Sequence, residues 1–250
     1  MSKILSNKTA LVTGGSRGIG AAIVKRLAQE GAVVAFSYSA SPNRASEVIN
    51  EVEARGGRAI AFQADQASST EVAALVKDAH EALGGLDILV NSAAVFITGV
   101  VGDPDADIAA FDRQLAINVG GVVTAVRTAA PLLNDGGRII SLGATSATAI
   151  PFPGIADYAG TKAAIAAYTR GWSRDLGPRN ITVNIIQPGS INTDMNPEHG
   201  RAFSDTIRHM TALGRYGRPE EIAGVVSFLA GPDASFITGA TLNIDGGFGA

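Results

Sequence analysis

The chain has 250 residues, of which 46% are hydrophobic and 17% are charged, a composition that supports a large buried core and excludes a disordered chain. Its 20 basic and 23 acidic residues give a net charge of −3, which offers no positive surface for nucleic acid or for an anionic membrane. Cysteine is absent, so disulfides, thiolate catalysis and zinc–cysteine sites are excluded. Because no apolar stretch has the length of a signal peptide or a membrane span, we expect a cytoplasmic protein.

Short apolar, β-branched runs alternate with longer amphipathic stretches along most of the chain. The runs predict strands over 9–13, 33–37, 59–63, 88–91, 138–142, 182–186 and 241–244. The stretches predict helices over 18–30, 44–54, 70–82, 107–131, 157–176 and 219–229. Strands that are apolar throughout are expected to be buried on both faces. The pattern therefore predicts an α/β fold, a single doubly wound parallel sheet of the Rossmann type with helices on both faces.

No linker or internal repeat interrupts this alternation, so we expect one domain over residues 1–250. The least regular segment is 192–216, which is rich in Asn, His, Arg and Met. It follows the carboxyl end of a predicted strand, where ligands bind in sheets of this class. We therefore interpret 192–216 as a substrate lid, and a solvated surface excursion is the alternative.

A glycine-rich loop joins the first predicted strand to the first predicted helix. Glycines at positions 14, 18 and 20 let the backbone approach a pyrophosphate closely. The helix N-terminus that follows presents free N–H groups and the positive end of the helix dipole. A plain strand-to-helix turn is the alternative, but the position between an apolar strand and an amphipathic helix favours dinucleotide binding.

The end of the second predicted strand indicates which dinucleotide binds. An acidic residue there would accept hydrogen bonds from the adenosine ribose and repel a 2′-phosphate, but Tyr38 and Ser39 occupy the position. Arg17 supplies a cation for a 2′-phosphate and Ser39 a donor. The sequence therefore predicts NADP in preference to NAD, with Arg17 as an ordinary solvated loop residue as the alternative.

Tyr158 and Lys162 stand four residues apart at the start of a predicted helix, which places both on one helical face. A neighbouring ammonium favours the phenolate, so we expect it to lower the tyrosine pKa toward a value suited to proton transfer near neutral pH. In isolation such a pair is as consistent with a surface contact as with catalysis. Together with the nucleotide loop upstream, it favours catalysis.

These motifs together resemble the short-chain dehydrogenase/reductase family over nearly the whole chain. The segment TGGSRGIG at 13–20 looks like that family's cofactor loop, and YAGTK at 158–162 looks like its YxxxK motif. The likeness is greatest to bacterial 3-oxoacyl-carrier-protein reductases and related NADPH ketone reductases. It implies hydride transfer between nicotinamide and a carbonyl or secondary alcohol, with Tyr158 as acid or base. It further implies that Asn118, in AINVGG, supports the lysine in a proton relay.

The same resemblance assigns the cofactor contacts and an assembly. Asp65, in QADQ, is similar to the residue that contacts adenine, and the segment 188–193 is similar to the one that holds the nicotinamide carboxamide. The C-terminal segment 214–247 is similar to the part of the family that helps to form homotetramers. The expected cofactor-binding residues are Gly14, Ser16, Arg17, Gly18, Ile19, Gly20, Tyr38, Ser39, Asp65, Gln66, Asn91, Ala93, Tyr158, Lys162, Pro188, Gly189, Ile191 and Thr193.

Two positions depart from the family pattern. After the fourth strand the family's NNAG motif reads NSAA over 91–94, so Ala94 replaces a glycine, a change that a small backbone adjustment should tolerate. The second departure is the serine whose hydroxyl normally polarises the carbonyl. Counting from the end of the fifth strand it falls on Ala144, and counting back thirteen residues from Tyr158 it falls on Thr145.

A threonine hydroxyl donates the same hydrogen bond as a serine, so we expect Thr145 to act in its place, with Ser146 as the second choice. The alternative is that this donor is missing, which typically costs about 10²–10³ in rate. Ala144 thus keeps open a binding protein of this fold with little turnover, whereas Tyr158, Lys162 and Asn118 argue for an enzyme. NAD-linked oxidation of an alcohol is the other alternative.

The remaining polar residues do not suggest a metal site, because the three histidines are scattered and no ligand spacing links them. Apolar residues collect in two stretches near the expected site, over 96–101 and 151–153. Such a rim favours an apolar or mixed carbonyl compound as the small-molecule substrate. Packing in the core or at a subunit interface would explain the same residues equally well.

Overall fold

The structure, a computed structural model, describes residues 3–199 and 203–250. All strands of these ranges lie in one parallel sheet in the order β3-β2-β1-β4-β5-β6-β7, which confirms the predicted α/β fold. The strands are β1 (Thr9–Thr13), β2 (Val33–Tyr38), β3 (Arg58–Gln63), β4 (Leu86–Asn91), β5 (Leu133–Leu142), β6 (Thr182–Pro188) and β7 (Thr241–Ile244). The helices are α1 (Gly18–Gln29), α2 (Pro42–Glu53), α3 (Ser69–Leu83), α4 (Ile108–Leu115), α5 (Val122–Ala129), α6 (Ala156–Leu176), α7 (Ser204–Met210) and α8 (Pro219–Ala230).

The order of the strands decides where a ligand binds. Strand β1 pairs with β2 on one side and with β4 on the other. The chain therefore reverses its direction of winding after β3, and a crevice opens at the carboxyl ends of β1 and β4. Thr13 and Asn91, the last residues of these two strands, stand side by side at that crevice.

Both faces of the sheet are covered, as the uniformly apolar strands predicted. One buried cluster joins the sheet to α1, α2 and α8, and a second joins it to α3 and α5. Strands β4 and β6 are buried along their whole length. None of the described helices is long and apolar enough to cross a membrane.

The stretch predicted as one helix over 107–131 is divided into α4, a π-helical turn at Ala116–Gly121, and α5. A Cβ atom added to Gly121 would lie 2.3 Å from the backbone oxygen of Gln66, so the turn passes directly against the loop after β3. Such π-helical turns are frequent at functional sites. Periodicity alone does not reveal one, because the apolar positions continue through it.

Helix α7 was not predicted from the sequence. It lies within the segment 192–216 that we interpret as a lid, of which residues 200–202 lie outside the described part of the chain. Its short sequence, SDTIRHM, is mostly polar and lacks an apolar face of the length that a periodicity argument needs.

Asp87 connects three strands at the amino end of the sheet. Its carboxylate accepts hydrogen bonds from Lys8 Nζ at 3.1 Å, from the Thr9 backbone N–H at 2.9 Å and from Asn134 Nδ2 at 3.2 Å. Burial alone would raise the pKa of Asp87, but these donors outweigh it, and the pKa lies below its usual value. The charged form therefore stabilises the fold.

We expect Asp87→Asn to lower the free energy of unfolding at neutral pH by roughly 1–3 kcal/mol, because charged hydrogen bonds are lost. A carboxyl whose pKa is depressed by folding contributes stability above its unfolded pKa of about 3.9, and this contribution disappears as pH falls through the lower folded pKa. Urea unfolding of both proteins at pH about 7 and about 3 measures the difference. A difference that stays constant with pH would contradict this role of the Asp87 charge.

Candidate active site

The glycine-rich loop is anchored to β2. The Gly14 backbone N–H donates to Ser37 Oγ at 3.0 Å, and the Gly15 N–H donates to the Ser37 carbonyl at 2.8 Å. A Cβ atom added to Gly20 would lie 2.1 Å from the Gly14 oxygen, so only glycine permits this tight turn. Within the described residues no side chain caps the N-terminus of α1, and its first N–H groups are available to a phosphate.

A pocket of about 450 Å³ lies beside this loop, between α1, α2 and the segment after β6. Arg17 and Arg44 both line it, and the Arg44 guanidinium donates to the carboxylate of Asp194. Tyr38 and Ser39 stand at the end of β2, half-buried and exposed respectively. Arg44 was not predicted from the sequence, although a second arginine shortly after β2 was a visible signal.

Asp65 and Gln66 follow β3 as expected for residues near an adenine. The Asp65 carboxylate accepts from the Ala67 backbone N–H at 3.0 Å and from Arg113 at 3.1 Å. The Ala67 N–H, more than Arg113, lowers the pKa of Asp65, which is therefore charged. Arg113, on α4, was not recognised from the sequence and forms an ion pair with Asp65.

The segment after β4 packs against the cofactor loop. Thr13 Oγ1 accepts from the backbone N–H groups of Ser92 at 3.0 Å and Ala93 at 3.2 Å. Gly14, with φ of +68°, approaches so closely that an added Cβ would lie 2.8 Å from Ala93 Cα. Asn91 donates to Ser141 Oγ at 3.2 Å, which links β4 to β5 below the crevice.

The segment after β6 closes the crevice from the other side. Gly189 N–H donates to the Ile244 carbonyl at 3.1 Å, and Ile191 forms a parallel bridge with Gly217. The Thr193 methyl lies 3.4 Å from the position that a Cβ on Gly18 would take. The segment predicted to hold the nicotinamide carboxamide therefore lies directly against the N-terminus of α1.

Tyr158 and Lys162 stand one turn apart near the start of α6. Lys162 is 4% exposed, and its ammonium donates to the Leu142 carbonyl at 3.0 Å. The same nitrogen lies 5.6 Å from the centre of the Tyr158 ring. Phe96 packs edge-on against that ring, with 4.7 Å between ring centres. The pair therefore sits at the carboxyl end of β5, beside the crevice.

Asn118 lies in the π-helical turn between α4 and α5, whereas the pair lies on α6. Its Oδ1 accepts from the Val95 N–H at 2.9 Å, while its Nδ2 donates to the Val95 carbonyl at 2.9 Å and to Thr161 Oγ1 at 3.2 Å. Thr161 Oγ1 in turn donates to the Tyr158 carbonyl at 2.7 Å. The buried amide of Asn118 thus joins the segment after β4 to the first turn of α6.

Burial dominates the proton affinities of the pair. It raises the pKa of Tyr158 to about 12 and lowers the pKa of Lys162 to about 8. The expected lowering of the tyrosine pKa by the lysine is therefore not found in the free protein. The physical reason is that the ammonium points at the Leu142 carbonyl, whereas the half-buried phenol loses much of its hydration.

The two hydroxyls predicted to polarise a carbonyl differ in their surroundings. Thr145 is 2% exposed, and its Oγ1 lies 3.3 Å from the carbonyl oxygens of Gln187 and Pro188 and 3.2 Å from Asp245 Oδ2. A hydroxyl has one proton, so these acceptors already engage it, and the geometry does not favour Thr145 as a donor to substrate. Ser146 Oγ is buried without a hydrogen-bond partner among the described residues.

An apolar rim borders the site, as the sequence suggested. Phe96 is partly exposed beside Tyr158, and Phe152 packs against Phe203 with 5.8 Å between ring centres. Phe203 belongs to the segment interpreted as a lid, so that segment contributes to the rim. Across residues 3–199 and 203–250, no cluster of histidine and acidic side chains suits a metal ion.

Comparison with known proteins agrees with this fold. The family model described as Enoyl-(Acyl carrier protein) reductase matches residues 14–249. A curated relative, the Cyclic-di-GMP-binding biofilm dispersal mediator protein of Escherichia coli K12, is 42% identical over 245 residues, which cover 98% of each chain.

Solved structures are also similar over nearly the whole chain. The short-chain dehydrogenase/reductase from Serratia marcescens BCRC 10948 superposes with a TM-score of 0.96 at 52% identity, over 99% of this chain and 100% of that one. A short chain dehydrogenase from Burkholderia cenocepacia J2315, determined in complex with NADP, gives 0.96 at 49% identity over the same shares. The chain belongs to the short-chain dehydrogenase/reductase family, whose oxidoreductases transfer hydride between a nicotinamide cofactor and a carbonyl or CH–OH group.

Proposed function

We propose that the protein is an NADP-dependent carbonyl reductase in which Tyr158 gives its proton to the substrate oxygen. The observation that carries the proposal is the buried Lys162 ammonium, held by the Leu142 carbonyl next to the Tyr158 ring. A lysine with a pKa of about 8 is charged at neutral pH, and a phenol with a pKa of about 12 is protonated. Both groups are therefore in the state that carbonyl reduction requires.

The cofactor fits the residues at the crevice. The turn that excludes a Cβ at Gly20 brings backbone N–H groups of α1 toward a pyrophosphate, and the exposed Arg17 stands beside it. When bound, the nicotinamide supplies the hydride. Preference for NADP over NAD rests on Arg17 and Ser39, and on Tyr38 standing where an acidic residue would repel the 2′-phosphate. The Burkholderia neighbour, which contains NADP, supports this preference.

Lys162 and Tyr158 are proposed to form one proton path, with Asn118 as the residue that supports it. The side-chain amide of Asn118 bonds to the Val95 backbone and to Thr161 Oγ1, and we propose that it positions α6 against the segment after β4. Lys162, on the next turn, then faces both β5 and the tyrosine ring. Replacement of the tyrosine proton after each turnover passes through this buried side of the site.

We expect Tyr158→Phe to reduce carbonyl turnover by at least about 10²-fold, because the proton donor is removed while the ring remains. The dissociation constant of NADPH should stay nearly unchanged, since the phenol contributes little to the phosphate and adenine contacts. Both quantities follow from NADPH oxidation with a panel of apolar ketones and from NADPH fluorescence titration. Turnover that survives the substitution would rule out the mechanism.

Arg17→Ala should weaken NADPH binding by about 10-fold or more and leave NADH binding almost unchanged, because only NADPH carries the 2′-phosphate. Titration of both reduced cofactors against both proteins gives the comparison. Lys25→Ala, at another cation of the same pocket, is the matched control for a general loss of positive charge. Equal losses for NADPH and NADH in Arg17→Ala would refute the assignment.

The pH profile tests the role of the Lys162 charge. Because the pKa of Lys162 is about 8, the ammonium is lost as pH rises through that value, and kcat/KM for carbonyl reduction should fall on the alkaline side. Tyr158, with a pKa of about 12, stays protonated over the same range and does not cause the fall. In Lys162→Arg the side chain remains charged, so the residual activity should lack this alkaline limb. A decrease of kcat/KM at the same alkaline pH in both proteins would contradict the assignment of this decrease to Lys162.

We further propose that residues 1–250 form a single domain, that 192–216 closes over the substrate and that the subunits assemble as a homotetramer. The contact of Phe203 with Phe152 supports closure of the segment over the apolar rim. Assembly is supported by the exposed apolar side chains of Phe228 on α8 and of Phe236, which precedes the edge strand β7. A cytoplasmic location stays a prediction of the sequence.

A second candidate function is binding without turnover. It is favoured by one observation, that Ala144 carries no hydroxyl and the Thr145 hydroxyl is engaged by other acceptors. The Escherichia coli relative is named as a cyclic-di-GMP-binding protein. Saturable binding of cyclic di-GMP with no turnover of any ketone or alcohol, by NADPH, NADP or NAD, would support this function in place of the reductase.

A further inference from the structure

Gln187 is a buried amide whose hydrogen-bonding groups are unused. It lies on β6 directly before Pro188 and Gly189 and is 1% exposed. Neither its Oε1 nor its Nε2 has a hydrogen-bond partner among the described residues. Buried amides in folded proteins are normally paired, because leaving both groups unpaired costs free energy. The position therefore indicates a partner that enters the site.

The direction of this side chain follows from the strand. Successive residues of a strand point to opposite faces, so Ile185 and Gln187 share a face of the sheet. Ile185 packs with Val122 of α5 and Ile165 of α6. Gln187 is therefore on the face that α6 covers, the helix that carries the tyrosine and lysine.

A close contact places Gln187 beside the proton path. Its Cγ lies 3.1 Å from the position that a Cβ on Gly143 would occupy, so the absence of a side chain at Gly143 makes room for the amide. Gly143 directly follows Leu142, whose carbonyl accepts from Lys162. One residue further along stands Ala144, at the position where strand counting places the family's serine.

The reaction needs a donor that this serine position lacks. Negative charge develops on the substrate oxygen as hydride reaches the carbonyl carbon, and a fixed hydrogen-bond donor stabilises it. Ala144 has no hydroxyl, and the single proton of Thr145 is engaged by Asp245 and by the carbonyls of Gln187 and Pro188. The Ser146 hydroxyl, which is unpaired among the described residues, is the competing donor that the test below includes. The side-chain amide of Gln187 carries N–H donors that no described protein atom uses.

We propose that Gln187 is a further catalytic residue, whose Nε2–H donates a hydrogen bond to the reacting oxygen of the substrate. The amide neither gains nor loses a proton. The hydride adds to the carbonyl carbon from the nicotinamide, the oxygen takes its proton from Tyr158, and Gln187 stabilises the charge between these events. This role rests on the proposed carbonyl reduction and assigns the function of the family's serine hydroxyl to an amide from the neighbouring strand.

The test compares Gln187→Leu and Gln187→Met, which remove the donor but fill the same space, with Thr182→Val. Thr182 is a matched control, because it lies on the same strand, is 5% exposed and has a hydroxyl without a partner in the described residues. For both Gln187 variants we expect kcat to fall by about 10²–10³-fold, with the NADPH dissociation constant changed by less than about twofold. Thr182→Val should leave kcat unchanged.

Introducing a serine at position 144 gives a sharper test of the donor role. Ala144→Ser placed in the Gln187→Leu background should raise kcat at least about tenfold, since a hydroxyl then stands near the reacting oxygen. A merely structural role for Gln187 predicts that Ala144→Ser changes kcat by the same factor in the unaltered protein and in Gln187→Leu, whereas a donor role predicts the larger gain in Gln187→Leu. Ser146→Ala is made alongside, because Ser146 carries the other unpaired hydroxyl of the loop after β5.

Three results would overturn the proposal. They are full kcat in a Gln187 variant, an equal fall in Thr182→Val, or loss of turnover in Ser146→Ala with none in Gln187→Leu. Turnover that Tyr158→Phe abolishes and Gln187→Leu retains removes only this inference and leaves the reductase in place. No turnover of any ketone by the unaltered protein removes the proposed function and this inference together.

Discussion

The buried ammonium of Lys162 needs a partner inside the protein, because a charge removed from water is costly unless it is hydrogen-bonded. The Leu142 carbonyl supplies that partner at 3.0 Å. This bond requires that β5 end at Leu142 and that the first turns of α6 lie across that end. Asn118 supports the same arrangement from the π-helical turn, through its bonds to Val95 and Thr161. The position of the tyrosine ring beside the crevice follows from this one buried charge.

A second buried link holds the loop after β5 to the C-terminal part of the chain. Asp245 follows β7 and accepts from Thr145 Oγ1 at 3.2 Å, from the Gly247 N–H at 2.9 Å and from the Gly249 N–H at 3.0 Å. The hydroxyl that the family resemblance suggested for catalysis thus has a structural use. The departure at Ala144 and the orientation of Thr145 together leave the role of donor to another side chain.

Most of the fold was predictable because its signals are local. Apolar runs of four or five residues become strands in a parallel sheet, as at 9–13 and 241–244, where prediction and structure coincide. The π-helical turn was not predictable, because it depends on the approach of Gly121 to Gln66 from a distant part of the chain. Helix α7 was missed because its few residues carry no apolar period.

The sequence by itself determined the sheet, the cofactor loop and the Tyr158–Lys162 pair, since each depends on residue types at short, regular spacings. Only the tertiary structure decided the partners of the buried polar groups. Lys162 bonds to a carbonyl 20 residues away, and Thr145 to a carboxylate 100 residues away. The same holds for the tyrosine pKa, which burial raises although the neighbouring lysine alone would lower it. Such contacts join strands and helices that are distant in the chain, so no local pattern contains them.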